Sequence, residues 1–150
     1  MKTIRHNVFE TNSSSMHSIT FSESIPKPSS YEDYKELTIY GNGDYGWSGP
    51  DCDDPVSKGD YILVAYAMIE DDEEEYASAR NNLIEYFKER GIKLNLPEDL
   101  SHITGDIDHQ SAPYEEDDCR ILTQFVYYPE QFFNFIFNEK TNIVIDNDNH

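Results

Sequence analysis

Apolar residues recur along this 150-residue chain with helical spacing in two places. Tyr76, Ala79, Leu83, Ile84 and Phe87 fall three and four residues apart, the spacing that lines one face of a helix. Asp71, Asp72, Glu73, Glu74 and Glu75 stand where such a helix presents its positive N-terminal end, and Lys88 and Arg90 where it presents its negative end. With Gly91 as the C-terminal cap, the pattern predicts one long helix over about 72–90. A short aromatic helix over about 129–138 is predicted by Pro129 in its first turn and by Phe132, Phe133, Ile136 and Phe137, which point inward together.

Shorter apolar runs predict strands at residues 3–9, 18–21, 36–40, 92–96, 120–127 and 142–145, the first two forming a hairpin over a hydroxyl-rich connection. The run 61–69 fits either a buried strand or the start of a helix, which periodicity does not separate. Residues 41–57 form the longest irregular stretch, with Gly46, Trp47, Gly49, Pro50 and Pro55, and 97–113 form a second polar loop. Helices and strands mix without a regular βαβ rhythm. The expected architecture is therefore α+β, a single domain over residues 1–150 with a mixed or antiparallel sheet.

Charge changes this picture most. Thirty acids stand against 11 Lys and Arg, a formal net charge of −19. The balance excludes direct binding of nucleic acid or an anionic membrane surface, because no surplus of cations exists to displace phosphate counterions. The N-terminal thirty residues differ from the rest: Lys2, Arg5 and Lys27 against Glu10 and Glu23 leave them at +1. Duplex DNA carries one charge per roughly 1.7 Å of axis, so 19 charges correspond to about 32 Å of duplex. A compact chain of this length is about 38 Å across. The protein thus carries the linear charge of a DNA segment of its own size. Cys52 and Cys119 are flanked by carboxylates, which raise a thiol's pKa and argue against nucleophilic roles. No apolar leader region and no run of 18 apolar residues occurs, so a cytoplasmic setting is expected.

The densest polar motif runs from Arg5 to Ser18 and includes His6, Glu10, Ser13, Ser14, Ser15 and His17. Two chemistries suit it. Arg5 with the hydroxyls of Ser13 and Ser15 could hold a phosphate or nucleotide ligand. Alternatively, His6 or His17, oriented by Glu10, could activate Ser14 as a nucleophile. The structural reading is a turn, since Ser, Thr and Asn side chains bond to nearby backbone. The string Asn7-Val8-Phe9-Glu10-Thr11-Asn12-Ser13-Ser14-Ser15-Met16-His17-Ser18 resembles the N-terminal signature of small uncharacterised bacteriophage and prophage proteins. The resemblance covers about the first twenty residues and implies a phage-related setting, without transferable catalytic roles.

Three acidic clusters remain: Asp51, Asp53 and Asp54 in the Gly/Pro loop, Asp71 to Glu75 at the long helix, and Glu115, Glu116, Asp117 and Asp118 before a strand. None has the spacing of an EF-hand. His102, Asp106, Asp108 and His109 are of metal-binding type but read as surface pairs, so no metal or cofactor is expected. The expected function is a phage-associated inhibitor that occupies the basic cleft of a host nucleic-acid-processing or defence enzyme as a nucleic-acid mimic. Tyr45 and Trp47 are the expected aromatic anchors beside the acids. The alternatives are an enzyme or a phosphate binder built on the N-terminal motif.

Overall fold

The computed structural model of the protein describes residues 16–20, 31–45, 52–107, 123–138 and 141–146, with backbone alone at 16–20, 142 and 144–146. In chain order the elements are β1 (Met16–Thr20), β2 (Glu36–Thr38), β3 (Asp44–Tyr45), α1 (Pro55–Ile69), α2 (Glu73–Glu89), β4 (Lys93–Asn95), β5 (Asp106–Ile107), α3 (Pro129–Phe137) and β6 (Asn142–Asp146). Short 3₁₀ helices lie at Leu100–His102 and Phe125–Tyr127. The fold is α+β.

The two predicted helices are present as α2 and α3. Asp72 caps α2, accepting from the Glu74 and Glu75 amides at 3.0 and 3.2 Å. Gly91 follows the helix with φ of 81°, where an L side chain is strained. Tyr76, Ala79, Leu83 and Phe87 are buried as the stripe predicts. In α3, Phe132, Phe133, Phe135, Ile136 and Phe137 are all buried. Phe87 meets them with ring centroids 6.2 Å from Phe132 and 5.0 Å from Phe133, in edge-on geometry.

Residues 61–69 resolve as helix, and the helix begins six residues earlier than the apolar run, at Pro55. The cause is a reciprocal cap. Asp54 accepts from the Ser57 amide at 2.6 Å, Ser57 Oγ accepts from the Asp54 amide at 3.4 Å, and Pro55 occupies the first turn. Residues 58–66 of α1 are buried on every side, so the helix is the central element and carries no amphipathic signature.

The strands depart from the expected single sheet. They form three separate two-stranded pairs: β1 with β6 antiparallel, β2 with β4 parallel, and β3 with β5 parallel. The two parallel pairs are one interrupted seam. Residues 35–45 run beside 93–106, with the Lys93 amide donating to Lys35, Ile39 to Asn95, Gly105 to Gly41 and Asp106 to Gly43. Residues 96–104 leave the seam and return to it. At Gly105 a Cβ would stand 2.4 Å from the Gly43 carbonyl oxygen, so only glycine permits the return. Residues 18–21 were expected to pair with 3–9; β1 pairs with β6, and residues 3–9 lie outside the described residues. The strand expected over 120–127 is corrected: 123–127 are helical, ending in the 3₁₀ turn at Phe125–Tyr127, because the consecutive apolar side chains cover α1 and α2 instead of joining a ladder.

Two buried polar groups tie these elements together. Asp60 of α1, 6% exposed, accepts from the Asn42 and Gly43 amides, each at 2.9 Å, and from the Tyr45 hydroxyl. Lys58, 1% exposed, donates to the Asn138 carbonyl at 2.8 Å, the Thr141 carbonyl at 3.1 Å and Thr141 Oγ1 at 3.2 Å.

Candidate functional site

The corner between α1 and α2 gathers the densest exposed charge among the described residues. Glu70 ends α1, and its Oε1 accepts from the Asp71 and Asp72 amides at 3.0 and 2.9 Å, which turns the chain into α2. Asp71, Asp72, Glu73, Glu74 and Glu75 are all exposed. Part of this charge serves the fold. Asp72 caps, the whole run complements the positive end of α2, and Glu73 Oε1 accepts from the Leu100 amide at 2.9 Å.

Beside this corner a cavity of about 410 Å³ opens between α2 and the second 3₁₀ helix, lined by Glu75, Ser78, Ala79, Asn82 and Tyr127. The four α2 positions share one face by helical spacing. The Tyr127 hydroxyl lies 3.0 Å from Glu70 Oε2, 3.1 Å from Glu75 Oε2 and 2.9 Å from the Tyr66 hydroxyl. Burial, then the neighbouring tyrosine and the two carboxylates, pushes Tyr127 well above the usual phenol range, and burial pushes Tyr66 up as well. Both stay protonated. Tyr127 has one proton for the two carboxylates it faces, so it can donate to only one of them at a time.

Among the described residues, basic side chains do not neutralise this corner. Arg80 turns its Nε onto the Pro97 carbonyl at 3.0 Å, and Tyr76 donates to the same oxygen at 2.7 Å. The Arg90 guanidinium lies 3.3 Å over the Tyr86 ring and donates to the Tyr86 carbonyl at 2.9 Å. Lys58 is buried. Among the described residues the Lys or Arg contacts to carboxylates are Arg90–Glu89 at 3.8 Å and Lys93–Glu36 at 3.9 Å, neither at the 70–75 run.

The structure separates the predicted partner-binding residues. Asp53 and Asp54 are exposed at the N-terminal end of α1, and Asp71 to Glu75 lie beyond its C-terminal end. Fifteen residues of helix put about 22 Å between the two groups. Tyr45 faces inward: its ring meets Tyr61 at 4.9 Å and its hydroxyl is committed to Asp60, so it serves the fold and not an exposed anchor. Trp47, Asp51, Glu115, Glu116, Asp117 and Asp118 lie outside the described residues, as do Arg5, His6, Glu10, Ser13, Ser14 and Ser15. His17 falls in β1 opposite Ile145. His102, from the candidate metal set, pairs through Nδ1 with Asp99 at 2.6 Å on the surface. This contact holds His102 above its usual range, while hydrogen bonds from Ser101 and then His102 hold Asp99 below its own. No group of three His, Cys, Asp or Glu suited to a metal occurs among the described residues. No described helix is long and apolar enough to cross a membrane.

Glu70, Ser78, Asn82 and Tyr127 were missed from sequence. Glu75, Ser78 and Asn82 form a polar stripe at helical spacing beside the apolar one, which was legible; Tyr127 was hidden by its assignment to a strand. No protein-family model matches the chain, and no curated protein or solved structure shows significant similarity to it.

Proposed function

We propose that the protein is an acidic binding protein that engages the basic surface of a host nucleic-acid-processing or defence enzyme in a phage-related setting, standing in for nucleic acid. The observation that carries this reading is the exposed run from Asp71 to Glu75 at the α1–α2 corner, beside the half-buried Glu70, which no Lys or Arg among the described residues pairs with. A surface carboxylate hydrogen-bonded only to neutral N–H and O–H groups keeps its net charge, and the field of such a cluster steers a basic partner and raises association rates to about 10⁸–10⁹ M⁻¹s⁻¹ at low salt. The second exposed pair, Asp53 and Asp54, lies about 22 Å away, the rise of six to seven base pairs of duplex. Charges spaced on that scale suit a groove that tracks a phosphate backbone. The cavity lined by Ser78, Asn82 and Tyr127 beside Glu75 gives such a partner a place to seat one long basic side chain.

The test is capture from a bacterial host lysate on the immobilised protein at low and at moderate salt, with short duplex DNA as competitor. A nucleic-acid-binding protein should be retained at low salt, released by the duplex, and lost when Asp71, Glu73, Glu74 and Glu75 are changed to Lys. Asp72 is left intact so that α2 keeps its cap. Capture that survives both the competitor and the reversal refutes the reading.

A further inference from the structure

The cavity between α2 and the second 3₁₀ helix holds polar groups that the fold does not use. Glu75, Ser78 and Asn82 stand on successive turns of one face of α2, with the buried Ala79 between them, and the half-buried Tyr127 lines the other side. Tyr127 meets the Glu75 carboxylate at Oε2, and no hydrogen bond among the described residues reaches Oε1. The side chains of Ser78 and Asn82 likewise make no hydrogen bond among the described residues. At about 410 Å³, the space falls in the range of small-ligand sites, about 300–1,000 Å³.

The nearest arginine on α2 does not fill it. Arg80, two positions before Asn82, is committed elsewhere: its Nε donates to the Pro97 carbonyl at 3.0 Å and its second guanidinium nitrogen reaches the Leu96 carbonyl at 3.5 Å. At the far end of α2, Arg90 shows how this chain holds a guanidinium. It lies 3.3 Å over the Tyr86 ring while donating to a neighbouring oxygen at 2.9 Å. The cavity offers the same pairing, a tyrosine with oxygen acceptors beside it, and adds a carboxylate. The positive N-terminal end of α2 opposes a cation here, but five acids at 71–75 outweigh a half-charge.

We propose that this cavity is a receptacle for the guanidinium of one arginine side chain, and that it selects arginine over lysine. That the arginine comes from a basic partner rests on the reading above; the selection itself does not. A lysine ammonium is a compact, strongly hydrated point charge that is satisfied by the carboxylate and water alone. The guanidinium is planar and weakly hydrated, with five N–H groups in a fixed fork. It donates to Glu75 and to the neutral oxygens of Ser78 and Asn82, and lays its face against Tyr127. The neutral acceptors therefore carry the discrimination, and the acids carry the attraction.

The experiment is a two-dimensional NMR titration at low salt with N-acetyl-arginine amide and N-acetyl-lysine amide, each bearing one positive charge. The arginine probe should shift the Ser78, Asn82 and Tyr127 signals saturably, with a dissociation constant on the order of 1–10 mM, and the lysine probe should bind about fivefold more weakly. The double change Ser78→Val and Asn82→Leu, at two exposed positions and without altering charge, should bring the two probes to equal affinity. Equal binding of both probes to the wild-type protein, shifts confined to residues 71–74, or selectivity retained in the double variant overturns the site and leaves the acidic reading standing. In lysate capture, the double variant should retain about fivefold less partner, and undiminished retention overturns the arginine as the partner's contact. If no partner is captured at all, the acidic reading fails and the titration alone decides the cavity. Should the double variant fail to fold, the wild-type comparison of the two probes decides.

Discussion

Replacing Asp60 by Asn is the sharpest test of how the fold is held. Its carboxylate sits in α1 at 6% exposure and receives the Asn42 N–H on Oδ1, and the Gly43 N–H and the Tyr45 O–H on Oδ2. An amide has nearly the same shape but presents an NH₂ group at one of those two oxygen positions. Whichever way it turns, one main-chain N–H then faces a donor. Tyr45 can rotate its hydroxyl to accept; the Asn42 and Gly43 amides cannot. A hydrogen bond to a charged group contributes about 1.5–3 kcal/mol, and a donor left unmet costs about 1–3 kcal/mol. The amide is easier to desolvate than the carboxylate, which offsets part of the loss. The expected net cost of Asp60→Asn is about 3 kcal/mol, against about 1 kcal/mol for Tyr45→Phe, which removes one donor and strands nothing. Urea unfolding followed by far-ultraviolet circular dichroism measures both, provided the slope with denaturant stays constant. A loss below about 1 kcal/mol for Asp60→Asn, or equal losses for the two variants, would refute the claim that this carboxylate organises residues 42–45.

Two further outcomes follow from the same structure. Gly105→Ala places a Cβ 2.4 Å from the Gly43 carbonyl and 2.6 Å from Val64 Cγ2, and should cost well over 2 kcal/mol, while Gly91→Ala, at φ of 81° in open space, should cost about 1 kcal/mol; thermal melts of the pair check the order. Burial raises Tyr45, Tyr66, Tyr76, Tyr86 and Tyr127 above the ordinary phenol value of 10.0, so their contribution to stability is complete below pH 10 and is lost as pH rises beyond it. Ultraviolet titration should therefore show part of the 11 tyrosines ionising near pH 10 and the rest only with unfolding; a single transition for all of them contradicts the burial.

What could be read from the chain alone depended on whether the signal was local. The helix α2 announced itself because its caps, charges and apolar stripe agree, and α3 because Pro129 and four aromatic or aliphatic positions share one face. The helix α1 was ambiguous because it is buried all round, which erases the amphipathic period; its start was nonetheless written in Asp54-Pro55-x-Ser57. Strand partners were out of reach. Nothing near Glu36 specifies Lys93, and nothing near Met16 specifies Asp146. At the candidate site the acids were legible from composition, whereas Tyr127 joins Glu70 and Glu75, 57 and 52 positions earlier, only because residues 123–127 wind into helix. The inward role of Tyr45 depends on Asp60 fifteen positions later, and no local pattern encodes it.

The ladder between β1 and β6 joins Met16 to Asp146. During synthesis, at about 5–20 residues per second, a strand waiting for a partner 130 positions downstream stays single for roughly 6–26 s. α1 and α2 are complete well before that. Ribosome-bound chains halted before residue 142 should accordingly hold their helices and leave β1 without its ladder, and a designed chain with β6 moved ahead of β1 should close that pair first.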